Sequence, residues 1–151
     1  MTDIIVFLGE YLGYILVAGI LVFWWENRKR HPRLLLEFIA AAALARGIIT
    51  ELIRFFWERP RPFVEQHITP LIEHTASASF PSGHATLFFA LGTILFFYNK
   101  TAGALFLLGA TILSGARVFA FLHWPSDIIG GAVIGIASAF LVFKVSQRFF
   151  K

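Results

Sequence analysis

Five apolar stretches, at about residues 4–25, 33–57, 83–98, 101–121 and 126–147, are separated by short charged joints. Each comes near the roughly twenty helical residues that cross a hydrocarbon layer. In lipid the backbone of such a stretch must satisfy its own hydrogen bonds, and no period-two alternation offers a barrel instead, so each is expected as a helix. The fold class that follows is an all-α integral membrane protein, a helical bundle of about five transmembrane helices making one membrane-embedded domain over residues 1–151. With 58% of residues hydrophobic and 18 phenylalanines in 151 positions, the chain lacks the polar faces of a soluble bundle. Trp24, Trp25, Trp57 and Trp124 all fall at stretch ends, where an interfacial belt belongs. Asp3 precedes the first apolar run, with no positive n-region and no small-residue cleavage site, so the first stretch is expected to stay in the mature chain.

Charge orients the bundle. The joint Glu26-Asn27-Arg28-Lys29-Arg30-His31-Pro32-Arg33 is densely basic and belongs on the cytoplasmic side. Joints 58–82 and 121–125 then lie outside, whereas Asn99-Lys100 and residues 147–151 lie inside. The net charge of +4 sits at stretch ends or inside polar clusters, leaving no basic face for nucleic acid. Absence of cysteine removes disulfides and thiolate metal sites. Glu37, Arg46, Glu51 and Arg54 lie within the second stretch, where each charge must be paired or face a polar cavity. Glu51 and Arg54 have neighbour spacing on a helix, while Arg46 and Glu51, five apart, are expected to stack poorly. Small residues at 40–45 and at Gly130, Gly131, Gly135, Ala137 and Ser138 signal close helix packing.

Three polar clusters interrupt the apolar pattern, and the charge topology puts all of them on the outer side. Arg54 and Arg61 offer planar forks suited to phosphate, with Arg61 held by the Pro60 and Pro62 turn, whereas Arg59 reads as an interfacial anchor. Ser82 is placed to cap the third helix, leaving the amides of Gly83 and His84 as free donors for an anion. His84 can supply a proton to a leaving alkoxide. Asp127, four residues after His123, can accept its Nδ1 proton and leave Nε2 as a nucleophile. Arg117 adds a third cation. Two histidines and one aspartate fall short of a hard-cation cage, so no metal and no other cofactor is expected. His67 and His74, in the outer joint, are read as bystanders.

The segments Arg54-x6-Arg61-Pro62, Pro81-Ser82-Gly83-His84 and Ala116-Arg117-x5-His123-x3-Asp127 resemble, in order and spacing, the three signatures of the type 2 phosphatidic acid phosphatase superfamily. Their flanks, among them Ser79-Phe80 and Ile128-Ile129-Gly130-Gly131, are similar to small bacterial membrane enzymes acting on prenyl diphosphates and phospholipid phosphates, undecaprenyl diphosphate phosphatases among them. The resemblance implies that His123 attacks phosphorus to form a phosphohistidine, Asp127 orients it and His84 protonates the departing oxygen. It further implies that Arg54, Arg61, Arg117, Ser82 and Gly83 hold the phosphoryl oxygens, without metal.

The chain departs from the family in three ways. Arg54 stands where the family usually has Lys, and Ala116 where it usually has Ser. Many members have six spans rather than five. The expected protein is therefore a metal-independent hydrolase of a lipid phosphate, best matched to undecaprenyl diphosphate, in the bacterial cytoplasmic membrane with its site on the extracytoplasmic side. Its partners would be the lipid phosphate substrate, membrane lipids and a second copy of the chain covering the flank left by the sixth helix. Arg54 and Ala116 motivate the alternative, a lipid-phosphate binding or flipping protein with a degenerate phosphatase site.

Overall fold

The computed structural model describes residues 2–149, and all regular structure among them is helical. Five long helices follow the five apolar stretches: α1, Thr2–Asn27; α2, over 34–56; α3, Gly83–Tyr98; α4, Lys100–Phe119; and α5, Pro125–Phe149. A one-turn helix, Pro62–Glu65, lies in the long joint between α2 and α3, with Pro62 at its first position, where a missing N–H costs nothing. By length and composition α1, α4 and α5 can each cross a membrane, whereas α2 carries four charges. With 16 residues, α3 is about 24 Å long, short of a hydrocarbon core of roughly 30 Å.

That short helix is the axis of the bundle. It packs most extensively on α5, then on α4 and α2, while α1 leans on α4. Its residues are buried on nearly every side, from Gly83, Ala85 and Thr86 in the first turn to Ile94 and Leu95 near the end. Neighbouring helices thus shield its polar start from lipid.

Small residues set the close approach of α3 and α5. A Cβ on Gly131 would lie 2.8 Å from the Ser82 carbonyl oxygen, and one on Gly135 would lie 2.5 Å from that of Thr86. Helix surfaces in lipid gain little from burying apolar groups, so contact at this range supplies the packing energy. Large apolar side chains such as Tyr14, Phe55, Phe56 and Phe119 point outward instead, as a lipid-facing surface requires.

Local chemistry fixes the helix ends. Ser82 accepts from the Ala85 amide at 3.4 Å to start α3, and Asn99, the lone residue between α3 and α4, caps α4 by accepting from Ala102 N at 3.0 Å. At the end of α4, Leu122 N donates to Arg117 O and Phe121 N to Val118 O, both at 3.0 Å, with Phe121 left-handed at φ 62°. This is a Schellman ending, and it delivers the chain to His123.

The interior of α2 corrects one expectation. Residues Ala43–Ile49 form a π turn, whose i→i+5 bonding brings residues five apart onto one face. Arg46 Nη1 accordingly donates to Glu51 Oε1, and Glu51 also lies 3.7 Å from Arg54 Nη1. Regular α-helix would have separated Arg46 from Glu51. At the other end of α2, Glu37 accepts from the Tyr98 hydroxyl at 2.7 Å.

The contact of α5 with α3 generates a paired prediction. Gly135→Ala must push Thr86 and Ala90 of α3 away and is expected to destabilise the fold by ~1–3 kcal/mol. Gly19→Ala, with nothing within 4 Å of the added methyl, is expected to stabilise α1 by ~0.5–1 kcal/mol. Thermal unfolding in detergent, followed by tryptophan fluorescence, should move the midpoint in opposite directions.

Candidate active site

Backbone hydrogen bonds stitch the three polar clusters together. Ser79 N donates to Arg59 O at 2.8 Å, Ser82 N to Asp127 O at 3.0 Å and Phe63 N to Phe121 O at 3.2 Å. Residues far apart along the chain, on the ends of α2, α3 and α5, meet at one end of the bundle.

Arg61 is the hub of this meeting. It is 2% exposed, and its guanidinium donates to Ser77 O at 3.0 Å, Leu122 O at 2.9 Å, Ser77 Oγ at 3.2 Å and Ala78 O at 3.3 Å. A cation this deep normally has a carboxylate partner; here its acceptors among the described residues are three carbonyls, a hydroxyl and a ring nitrogen of His123. Burial, with Arg54 and Arg117 adding to it, brings the Arg61 pKa down to about 10, so it remains charged at neutral pH.

The same guanidinium identifies the free nitrogen of His123. Arg61 Nη1 lies 3.3 Å from His123 Nε2, and because a guanidinium only donates, Nε2 holds a lone pair. The ring proton is then on Nδ1, which lies 3.5 Å from both Asp127 Oδ2 and Ser79 Oγ. His123 is 2% exposed, and burial holds its pKa at about 4, against the opposing pull of Asp127. A neutral ring with Nε2 bare is the form that attacks phosphorus.

Asp127, fully buried, is fixed from three sides. The Ser79 hydroxyl and the Trp124 amide donate to Oδ2, the latter at 2.9 Å, and Arg59 Nη1 donates to Oδ1 at 2.8 Å. Arg59 also reaches Ser126 Oγ at 2.7 Å, and Trp124 Nε1 donates to Pro60 O at 3.1 Å. Sequence reasoning missed Arg59 and Ser79 as partners of Asp127. An arginine near a span end reads as an anchor until the fold brings a carboxylate to it.

A cavity of about 220 Å³ opens over these groups, lined by Arg46, Arg54, Arg61, His74, Ser77, Gly83, His84, Leu87 and His123. Three arginines and three histidines line it, and no carboxylate does among the described residues. Arg54 Nη2 is tied to Pro81 O at 2.9 Å, and His84 is exposed at the cavity mouth, its ring stacked near Phe88. His74, set aside as a bystander on sequence, lines the same wall; burial lowers its pKa, so it too is neutral at pH 7.

Two expected residues stand at the edge of this cavity rather than in its lining. Ser82 is fully buried, and its hydroxyl caps α3 rather than facing the cavity. Arg117 donates from Nη1 to Gly9 O of α1 at 2.9 Å and lines an adjoining cavity of about 340 Å³, which shares His74, His84 and Leu87 with the first. The two cavities meet along those shared side chains. His67 lies outside both.

A family model described as the PAP2 superfamily matches residues 34–151. Over 149 residues the chain is 31% identical to the bacitracin transport permease protein BcrC of Bacillus licheniformis, covering 98% of this chain and 73% of that protein. It is also 31% identical over 147 residues to the undecaprenyl-diphosphatase BcrC of Bacillus subtilis (strain 168), covering 97% and 76% respectively. Among solved structures, the first transmembrane PAP2 type phosphatidylglycerolphosphate phosphatase from Bacillus subtilis superposes with a TM-score of 0.68 over 99% of this chain and 79% of that one, at 19% identity. At that identity the superposition speaks for the fold.

The environment of His123 generates a prediction. In 15N NMR of ring-labelled protein, His123 should show the neutral pattern, Nδ1 protonated and Nε2 bare, from pH 8 down to about 5, with the signal assigned by its loss in His123→Gln. A midpoint near 6.5, the ordinary histidine value, would contradict the buried setting.

Proposed function

The chain belongs to the PAP2 superfamily, an integral membrane phosphatase, and on that premise we propose that it removes the terminal phosphate of a prenyl diphosphate, undecaprenyl diphosphate above all, at the outer face of the bacterial cytoplasmic membrane. What carries the reading is the cavity itself: the guanidinium groups of Arg54 and Arg61 line it together with a buried, neutral His123, whose Nε2 lies against Arg61. Phosphoryl transfer asks a protein chiefly for positioning and charge neutralisation. A cavity rich in cations and free of carboxylates favours a phosphate dianion over other ligands.

In this mechanism His123 Nε2 attacks the terminal phosphorus, a P–N bond forms, and the bond from that phosphorus to the departing oxygen breaks with its electron pair on the oxygen. His84 gives a proton where the departing group is an alkoxide. Asp127, held by Ser79, Arg59 and the Trp124 amide, keeps the Nδ1 proton in place and stabilises the charge that develops on the ring. Arg54, Arg61 and the amides at the start of α3 hold the phosphoryl oxygens. Water then attacks the phosphohistidine, His84 takes its proton, and inorganic phosphate leaves with the nitrogen lone pair restored. Support for the substrate class comes from the relative named undecaprenyl-diphosphatase, and support for the outer face from the basic joint at 26–33.

Purified protein in detergent with EDTA is expected to release phosphate from undecaprenyl diphosphate and to carry label from the terminal 32P as an alkali-stable phosphohistidine. His123→Ala should lose both, with turnover down by roughly 10³-fold or more. Full turnover in that variant would remove the nucleophile.

A further inference from the structure

Arg46 belongs to none of the three clusters, and the mechanism above leaves it unused. It sits eight residues before Arg54 on α2, yet its side chain reaches the same cavity. Its side chain lies across the start of α3: a Cβ on Gly83 would come 2.5 Å from Arg46 Nε and 3.2 Å from its Cζ. Glu51 accepts from Nη1, which fixes the guanidinium and leaves others of its five N–H donors for a second acceptor. The side chain is 39% exposed, too open for a purely internal pair.

The cavity therefore has two cationic walls. Arg61 touches His123 and the 77–78 loop, whereas Arg46 touches Glu51 and Gly83. The Arg46 wall is shared with apolar Leu87, one turn into α3 from Gly83. With the terminal phosphorus at His123, a tail leaving along Leu87 would bring the tail-proximal group to Arg46.

We propose that Arg46 forms a second phosphate subsite, which binds the tail-proximal phosphate of a prenyl diphosphate and so selects diphosphates over monophosphates. The inference rests on the phosphatase reading of the site and deepens it. When His123 Nε2 bonds to the terminal phosphorus, the bond from that phosphorus to the bridging oxygen breaks and its pair stays on the bridging oxygen. The product is a prenyl monophosphate, and the new negative charge forms beside Arg46. No proton is needed, because the departing oxygen belongs to a phosphate rather than an alcohol.

The test uses the full chain in detergent with farnesyl diphosphate and farnesyl monophosphate, which differ by one phosphate alone. Arg46→Gln is expected to lower kcat/KM at least ten times more for the diphosphate than for the monophosphate, with Arg46→Lys recovering part of the difference. Equal losses on both substrates would show a structural role and overturn the subsite, as would an unchanged ratio. Wild-type protein gives a check free of folding effects: inorganic pyrophosphate should inhibit competitively at least tenfold more tightly than inorganic phosphate, and equal inhibition overturns the proposal. If wild type cleaves neither lipid, the phosphatase reading falls instead; cleavage of the monophosphate alone removes the diphosphate assignment and the subsite with it.

Discussion

The structure turns on a buried guanidinium held by backbone oxygen instead of carboxylate. Arg61 binds Ser77 and Ala78 on one side and Leu122 on the other, so a single side chain ties the long joint after α2 to the turn before α5. Leaving any of those donors unmet at 2% exposure would carry the full desolvation cost of a charged group, which holds the joint in one conformation. The same bonds leave the positive charge uncompensated by any close carboxylate, and that makes the cavity attractive to an anion. The order of the joint and the positive charge of the cavity thus draw on one residue.

Helix packing sets where that residue can act. Glycines 131 and 135 let α5 lie against the backbone of α3, which brings Asp127 O within 3.0 Å of Ser82 N. This contact joins the start of α3, with its free amides, to the turn that carries His123. Wider spacing between α3 and α5 would separate His123 from His84 without changing either side chain. The π turn in α2 plays a comparable part, since it rotates Arg46 and Glu51 onto one face and aims Arg46 at the start of α3.

Much was legible from residue order. The five helices follow the five apolar stretches closely, because in lipid a backbone has few ways to meet its own hydrogen bonds, and Ser82, Asn99 and Pro125 act at helix starts through purely local chemistry. The residues around the cavity were legible where chemistry and spacing coincide, as in His123 with Asp127. Ser79, Arg59, His74 and Arg46 were not. Each has an ordinary local reading, as a loop serine, an anchor, a loop histidine or half of an ion pair, and only its distant partner gives it another.

Sequence by itself determined the all-helical membrane fold, the family and the three polar clusters, since periodicity, hydropathy and short motifs are properties of neighbouring residues. Tertiary structure decided which nitrogen of His123 is bare, what holds Asp127, and that Ser82 caps a helix while Arg117 turns toward α1. Those outcomes depend on contacts spanning as many as 108 residues of chain, and no local pattern encodes the direction in which a long cationic side chain will reach.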